Sequence, residues 1–145
     1  WLLRHLPFFG MFGDGKYPVQ PIYADDVANI CIVQGQLSEN MVVDAAGPDT
    51  FEYREFLDIL SKGMGRRNIL IPIPDWLTLM VGQFMGLLLQ DIVITEAEIR
   101  GLRQGLAASS EEPLGTTSFR DWAEENGDDL GRIYRNDIKI RKYVK

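Results

Sequence analysis

Two adjacent carboxylates, Asp25 and Asp26, stand where a helical pattern begins at Val27 and Ala28. A carboxylate at such a point accepts hydrogen bonds from the free N–H groups of the first turn and suits the positive end of the helix dipole. Scaffold duty therefore accounts for both acids, with general acid–base work as the alternative chemistry. Upstream, Gly13-Asp14-Gly15 supplies backbone freedom for a tight reversal. Between turn and helix runs Val19-Gln20-Pro21-Ile22-Tyr23, with the amide of Gln20 and the phenol of Tyr23 on one extended segment. Pro21 has no N–H to donate, so this run reads as a short or edge strand. The remaining reactive side chains stand alone. His5 is the only histidine, which leaves a zinc site or a histidine triad without support. Cys31 is the only cysteine, which excludes an internal disulfide and any multi-cysteine metal site. Among Ala28, Ile30, Ile32 and Val33 it reads as a small buried hydrophobe on a packed helix. Gly10, Gly13 and Gly15 have the look of a phosphate-cradling loop, but the sequence shows no strand before them and no helix directly after.

Longer motifs carry a family resemblance. Gln20-Pro21-Ile22-Tyr23-Ala24-Asp25-Asp26-Val27-Ala28 resembles the strand-to-helix segment in the C-terminal part of extended and atypical short-chain dehydrogenase/reductases, the NAD(P)-dependent epimerase/dehydratase superfamily. Val42-Val43-Asp44-Ala45-Ala46-Gly47-Pro48, followed by Phe51-Glu52-Tyr53-Arg54-Glu55-Phe56-Leu57, resembles its last sheet strand, its Gly-containing turn and the next helix. The two motifs share that superfamily's order and spacing and cover roughly the first half of the chain. The rest is similar, more loosely, to the atypical branch, which includes the Rossmann-type accessory subunit of respiratory complex I. The resemblance implies an α/β, helix-rich fold: the C-terminal substrate-binding portion of a Rossmann-type NAD(P)-binding fold, with few short strands. Residues 1–145 would form a single C-terminal substrate-binding domain, the N-terminal dinucleotide-binding half lying outside this sequence. A first residue of Trp1 rather than Met suggests that a longer protein was cut.

Hydride-transferring members of that superfamily use a Gly-rich turn beneath the dinucleotide and a tyrosine whose pKa is lowered by a lysine four positions later. Neither is present. The residues four positions after Tyr17, Tyr23, Tyr53 and Tyr134 are Pro21, Val27, Leu57 and Ile138, and the chain ends before that point after Tyr143. No catalytic, cofactor-binding or metal residue is assigned. NAD or NADP belongs to the full-length protein, and none is expected on these residues alone. Sugar-nucleotide members open the strand before the Asp-Asp helix start with an arginine, and Val19 occupies that position here. The guanidinium fork that clamps phosphate is thereby lost. Arg66 and Arg67 are substitutes for it or simply solvated residues after a helix end. Substrate contact is expected at Gln20 and Tyr23, on the strand that bears the family's substrate-facing position, and at Arg66 and Trp76. Three functions compete: the substrate-binding part of an NAD(P)-dependent epimerase/dehydratase-like oxidoreductase, inactive by itself; the same part of a non-catalytic NAD(P)-binding assembly or regulatory protein; and a helical protein-interaction module.

The elements that must position these residues are legible from pattern. A chain of 145 residues with 46% apolar and 25% charged residues is long enough for one buried core. A net charge of −6 disfavours nucleic acid. The basic cluster Lys139, Arg141, Lys142 and Lys145 is a solvated helix end at least as readily as a ligand site. With no basic n-region and small-residue cleavage site at the start of this sequence, export is not expected. Short strands are expected at 19–23, 42–46 and 69–73, the second as the displaced edge of a larger sheet. Pro7 stops a helix that ends at Leu6, and Phe8, Phe9, Met11 and Phe12 must pack on something. Five or six helices are expected, among them 26–34, 52–64, 95–104 behind a Thr95-to-Glu98 capping box, one after Ser118, and 128–143. The run from Trp76 to Gln90 carries no charge, yet it is shorter than the ~20 residues a membrane span needs and is flanked by Asp75 and Asp91. Its apolar residues occupy nearly every face, so it is buried all round or meets a partner. A core, a dimer surface, a lipid-like channel and a membrane surface all remain open for it. Expected partners are a small-molecule substrate of low polarity and either a second copy or the N-terminal half, in a cytoplasmic protein that is free or peripheral to a membrane.

Overall fold

The computed structural model describes residues 1–142. Seven helices and four short strands succeed one another as α1 (Leu2–His5), β1 (Phe8–Phe12), β2 (Pro18–Val19), α2 (Ala24–Gln34), β3 (Phe51–Glu52), α3 (Tyr53–Gly63), β4 (Ile69–Ile73), α4 (Asp75–Leu89), α5 (Glu96–Arg103), α6 (Phe119–Asn126) and α7 (Asp137–Lys142). The fold is thus α/β and helix-rich.

The strands form two separate pairs. β1 lies parallel to β4, with Phe8 opposite Ile69 and Phe12 opposite Ile73. β2 lies antiparallel to β3, with Val19 opposite Phe51. Of the Phe8 to Phe12 segment, Met11 and Phe12 are buried, whereas Phe8 pairs with Ile69 and still stands 54% exposed. A strand does precede Gly13, contrary to the sequence expectation, but the next element along the chain is β2 rather than a helix. The expected strand at 19–23 shrinks to Pro18–Val19, because Gln20 donates its backbone N–H to Ala107 O at 2.7 Å, leaving the β2–β3 ladder for a loop.

No ladder forms at 42–46, where the β-branched run suggested a strand. Val42 is 98% exposed. A strand exists only by pairing, and the backbone bond this run accepts, from Gly115 N to Ala46 O at 2.8 Å, does not extend into a ladder. The same lack of cover corrects the reading of Cys31, which is exposed. Its helix, α2, contains no buried residue. Ile32 and Val33, 60% and 58% exposed, look outward with it.

Three small cores hold the chain together. Leu3, Met11, Leu57 and Met64 form one, Val19, Phe51, Ile59 and Ala123 a second, and Phe12, Tyr17 and Ile99 a third. Tyr53, the first residue of α3, packs against all three. Helix α3 crosses α6 so closely that a Cβ on Gly63 would stand 2.3 Å from Ala123 O, a position only glycine fills. Helix α5 carries the full capping box, with Glu98 N donating to Thr95 Oγ1 and Thr95 N to Glu98 Oε2 at 2.7 Å. Ser118 caps α6. The last helix starts at Asp137 rather than Asp128, because Gly131 takes a left-handed φ of 67° that no helix continues through. Tyr143 and Lys145, the far end of the expected helix and of the basic cluster, lie outside the described residues.

Helix α4 occupies the charge-free run as expected, and it is largely uncovered. Thr78 and Gly82 are its buried residues. No helix among the described residues is long and apolar enough to cross a membrane.

Candidate functional site

The two sequence motifs meet at Gln20. Its Nε2 donates to Gly47 O at 2.8 Å, and its Oε1 accepts from Ser109 N at 2.9 Å. Gly47 is pressed so close to the extended 20–23 segment that a Cβ there would stand 1.8 Å from Pro21 O. Gln20 thus ties the end of β2 to the Ala46–Gly47 turn and to the loop after α5. Beside it opens a shallow cleft of about 330 Å³, lined by Gln20, Asp44, Ala46, Leu106, Ala107 and Ser109 among others.

Asp44 and Ser109 face each other across this cleft. Ser109 Oγ donates to Asp44 Oδ2 at 2.6 Å and accepts from Glu111 N at 3.0 Å. The pair offers polar groups at the cleft, and neither a histidine nor a lysine is among the lining residues. Asp26 lies outside this cleft, and its Oδ2 accepts from Thr116 N at 2.9 Å and from Thr117 N at 2.8 Å. These backbone donors, Thr117 first, hold the Asp26 carboxyl below its ordinary range. Asp26 is therefore a latch between α2 and the 116–117 loop. The cap position of α2 belongs to Tyr23, which makes no side-chain capping bond.

Of the four residues expected at substrate, Gln20 lines this cleft and the other three do not. Tyr23 is 37% exposed at the start of α2, its ring 6.4 Å from that of Trp122, and the charge of Asp25 beside it raises its pKa. Arg66 is exposed just past α3, its backbone N–H donated to Ser61 O. Trp76 stands in the first turn of α4 and is 66% exposed. The alternative reading of Arg66, a solvated residue after a helix end, is the one its surroundings match. Sequence reasoning missed Ser109, because a serine in a run of small residues carries no spacing signal. Asp44 belongs to a family-like motif, yet its side chain became meaningful only when residue 109 was brought opposite it. Among the described residues no three histidine, cysteine or acidic side chains gather to hold a metal.

A second cleft, of about 320 Å³, lies apart from the first between α1, the β1–β4 ladder and α4. Its lining side chains are mostly apolar, and Tyr53 lines it while packing against the rings of Phe12 and Tyr17.

Comparison with known proteins returned no matching protein-family model and no matching curated protein.

Proposed function

We propose that the chain is the C-terminal substrate-binding portion of an NAD(P)-dependent epimerase/dehydratase-like oxidoreductase, inactive without a dinucleotide-binding half. One observation carries this reading: Gln20 bonds the first family-like motif to Gly47 in the second, with Gly47 seated against Pro21 O. The first family-like motif thus touches the second at Gly47, a contact that supports placing the two beside each other in a larger fold. The bare run at 42–46 and the exposed α2 supply the surface that further strands would cover. Substrate would then enter beside Gln20, Asp44 and Ser109, in the cleft at the ends of those segments. With Val19 in place of an arginine, no guanidinium stands there to clamp a phosphate, which favours a substrate of low charge. Arg66 and Trp76 play no part in this cleft, and Tyr23 enters only if the full-length protein bends the α2 start toward it.

A second reading, the same portion of a non-catalytic NAD(P)-binding assembly protein, is favoured by the apolar face that α4 leaves uncovered. Titration of NADH and NADPH by calorimetry tests the common ground. The 145-residue chain is expected to give no micromolar binding and the full-length protein to bind one of the two. Micromolar binding by the 145-residue chain overturns the assignment. A tyrosine with a lysine four positions later in the upstream sequence then selects the enzyme, and its absence selects the assembly protein.

A further inference from the structure

The second cleft has a composition unlike the first. No charged side chain lines it, and the polar side chains among its lining residues are Tyr53 and Thr78. Thr78 Oγ1 is already committed, donating back to Pro74 O at 3.3 Å within its own helix. The Tyr53 hydroxyl has no hydrogen-bond partner among the described residues, while its neighbour Tyr17 donates to Phe12 O. Burial raises the Tyr53 pKa, so the phenol keeps its proton and remains a donor. An apolar pocket with one unengaged side-chain donor among its lining residues is a general description of a small-molecule site. Water satisfies such a pocket poorly, since a bound water needs two to four polar partners and Tyr53 is the one unengaged side-chain donor among the lining residues.

From this we infer that the cleft between β1 and α4 binds an uncharged, largely aliphatic or aromatic small molecule whose single carbonyl or ether oxygen accepts a hydrogen bond from Tyr53. Its volume is about twice the ~150 Å³ of a cavity that holds one benzene, which sets the ligand at about twelve heavy atoms. A carboxylate or phosphate is excluded, because nothing in the walls repays the cost of stripping water from an ion. Val81 and Met85 of α4 and Val93 and Ile94 beyond it line the cleft. This site is independent of the oxidoreductase reading, because it shares no lining residue with the Gln20 cleft.

Calorimetric titration with three probes of similar size tests the site on the 145-residue chain, and each step has a result that overturns it. Dibutyl ketone and butylbenzene are expected to bind saturably, and nonanoate at neutral pH at least about tenfold more weakly than the ketone. Tyr53→Phe keeps the ring in its stack and is expected to weaken the ketone about three- to tenfold while leaving butylbenzene unchanged. Val81→Trp, or Met85→Trp if the first variant melts early, puts an indole into the wall of the cleft and is expected to abolish both. Equal binding of nonanoate, equal loss of both neutral probes in Tyr53→Phe, or full affinity in a folded tryptophan variant overturns the assignment. So does an apparent affinity that falls as protein concentration rises, which would give the cleft to a second copy of the chain.

Discussion

Asp26 and Thr117 stand ninety-one positions apart, yet the Asp26 carboxylate accepts the Thr117 backbone N–H at 2.8 Å. With the neighbouring Thr116 bond it fastens the start of α2 to the loop that leads into α6. Thr117 first, then Thr116, lowers the Asp26 pKa from its ordinary 3.8. A depressed carboxyl pKa adds stability that is fully present above the unfolded value of 3.8 and lost as pH falls through the folded one. Asp26→Asn is therefore expected to lower Tm at neutral pH and to flatten the acid limb of the Tm-against-pH curve. An acid limb identical to that of the unaltered chain would remove Asp26 from this role.

Asp91 does for the C-terminal segment what Asp26 does for the loop. It accepts from the Tyr134 hydroxyl at 2.6 Å and from the backbone N–H of Asp137 at 3.1 Å. Asp91→Ala is expected to free α7 with the rest of the fold intact, so that limited trypsin cuts first at Arg135. The Tyr134 pKa is pushed up to about 12, by burial first and then by its bond to Asp91. A raised phenol pKa contributes stability below the ordinary 10.0 that disappears as pH climbs through about 12. Spectrophotometric titration of the phenolate band should show a late step at about 12 that is missing in Tyr134→Phe.

Gln20 and Gly47 are expected to fail thermally before they fail in binding. Gln20→Ala removes two hydrogen bonds and leaves Gly47 O and Ser109 N to find others, a loss of about 1–3 kcal/mol. Gly47→Ala drives a methyl into Pro21 O and should cost at least about 1–3 kcal/mol. Urea midpoints at constant m-value measure both. A Gln20→Ala chain as stable as its parent would return that amide to the pool of groups free to hold substrate.

Helix α4 presents Trp76, Phe84, Leu87 and Leu88 at 66, 61, 78 and 64% exposure. Full burial of each is worth about 1.5–3 kcal/mol, against a net domain stability of about 5–15 kcal/mol. The 145-residue chain is expected to self-associate through this face at high micromolar concentration. Leu87→Lys with Leu88→Glu should return it to monomer in sedimentation equilibrium. A monomer at every concentration before substitution would show that the face stays wet.

What the sequence disclosed was local. Thr95 and Glu98, Ser118 and the charge-free run after Asp75 each carry their own start signal, and α5, α6 and α4 appear where those signals stand. Ile69 to Ile73 forms the strand its β-branched residues announce. What the sequence concealed was pairing. Phe9-Gly10-Met11 shows neither alternation nor a turn partner, and it is a strand because β4 lies beside it. Val42-Val43 has the right residue types and no partner, so it makes no strand. The cleft divided in the same way: Gln20 was legible from its motif, whereas Ser109 and the free hydroxyl of Tyr53 gained meaning from neighbours far away in sequence.

The parallel ladder of β1 and β4 joins Phe8 to Ile69, sixty-one positions later. Each doubling of such a span adds about 0.6 kcal/mol to the entropy of closing it, and contacts of high sequence separation slow the search for the native topology. β1 leaves the ribosome with its partner still unmade, carrying Phe8, Phe9 and Phe12 in the open until residue 73 has been synthesised. At an elongation rate of about 5–20 residues per second that interval lasts seconds. The aromatic trio is thus the segment most in need of shelter while the chain is born, and the most natural handle for a chaperone to grip.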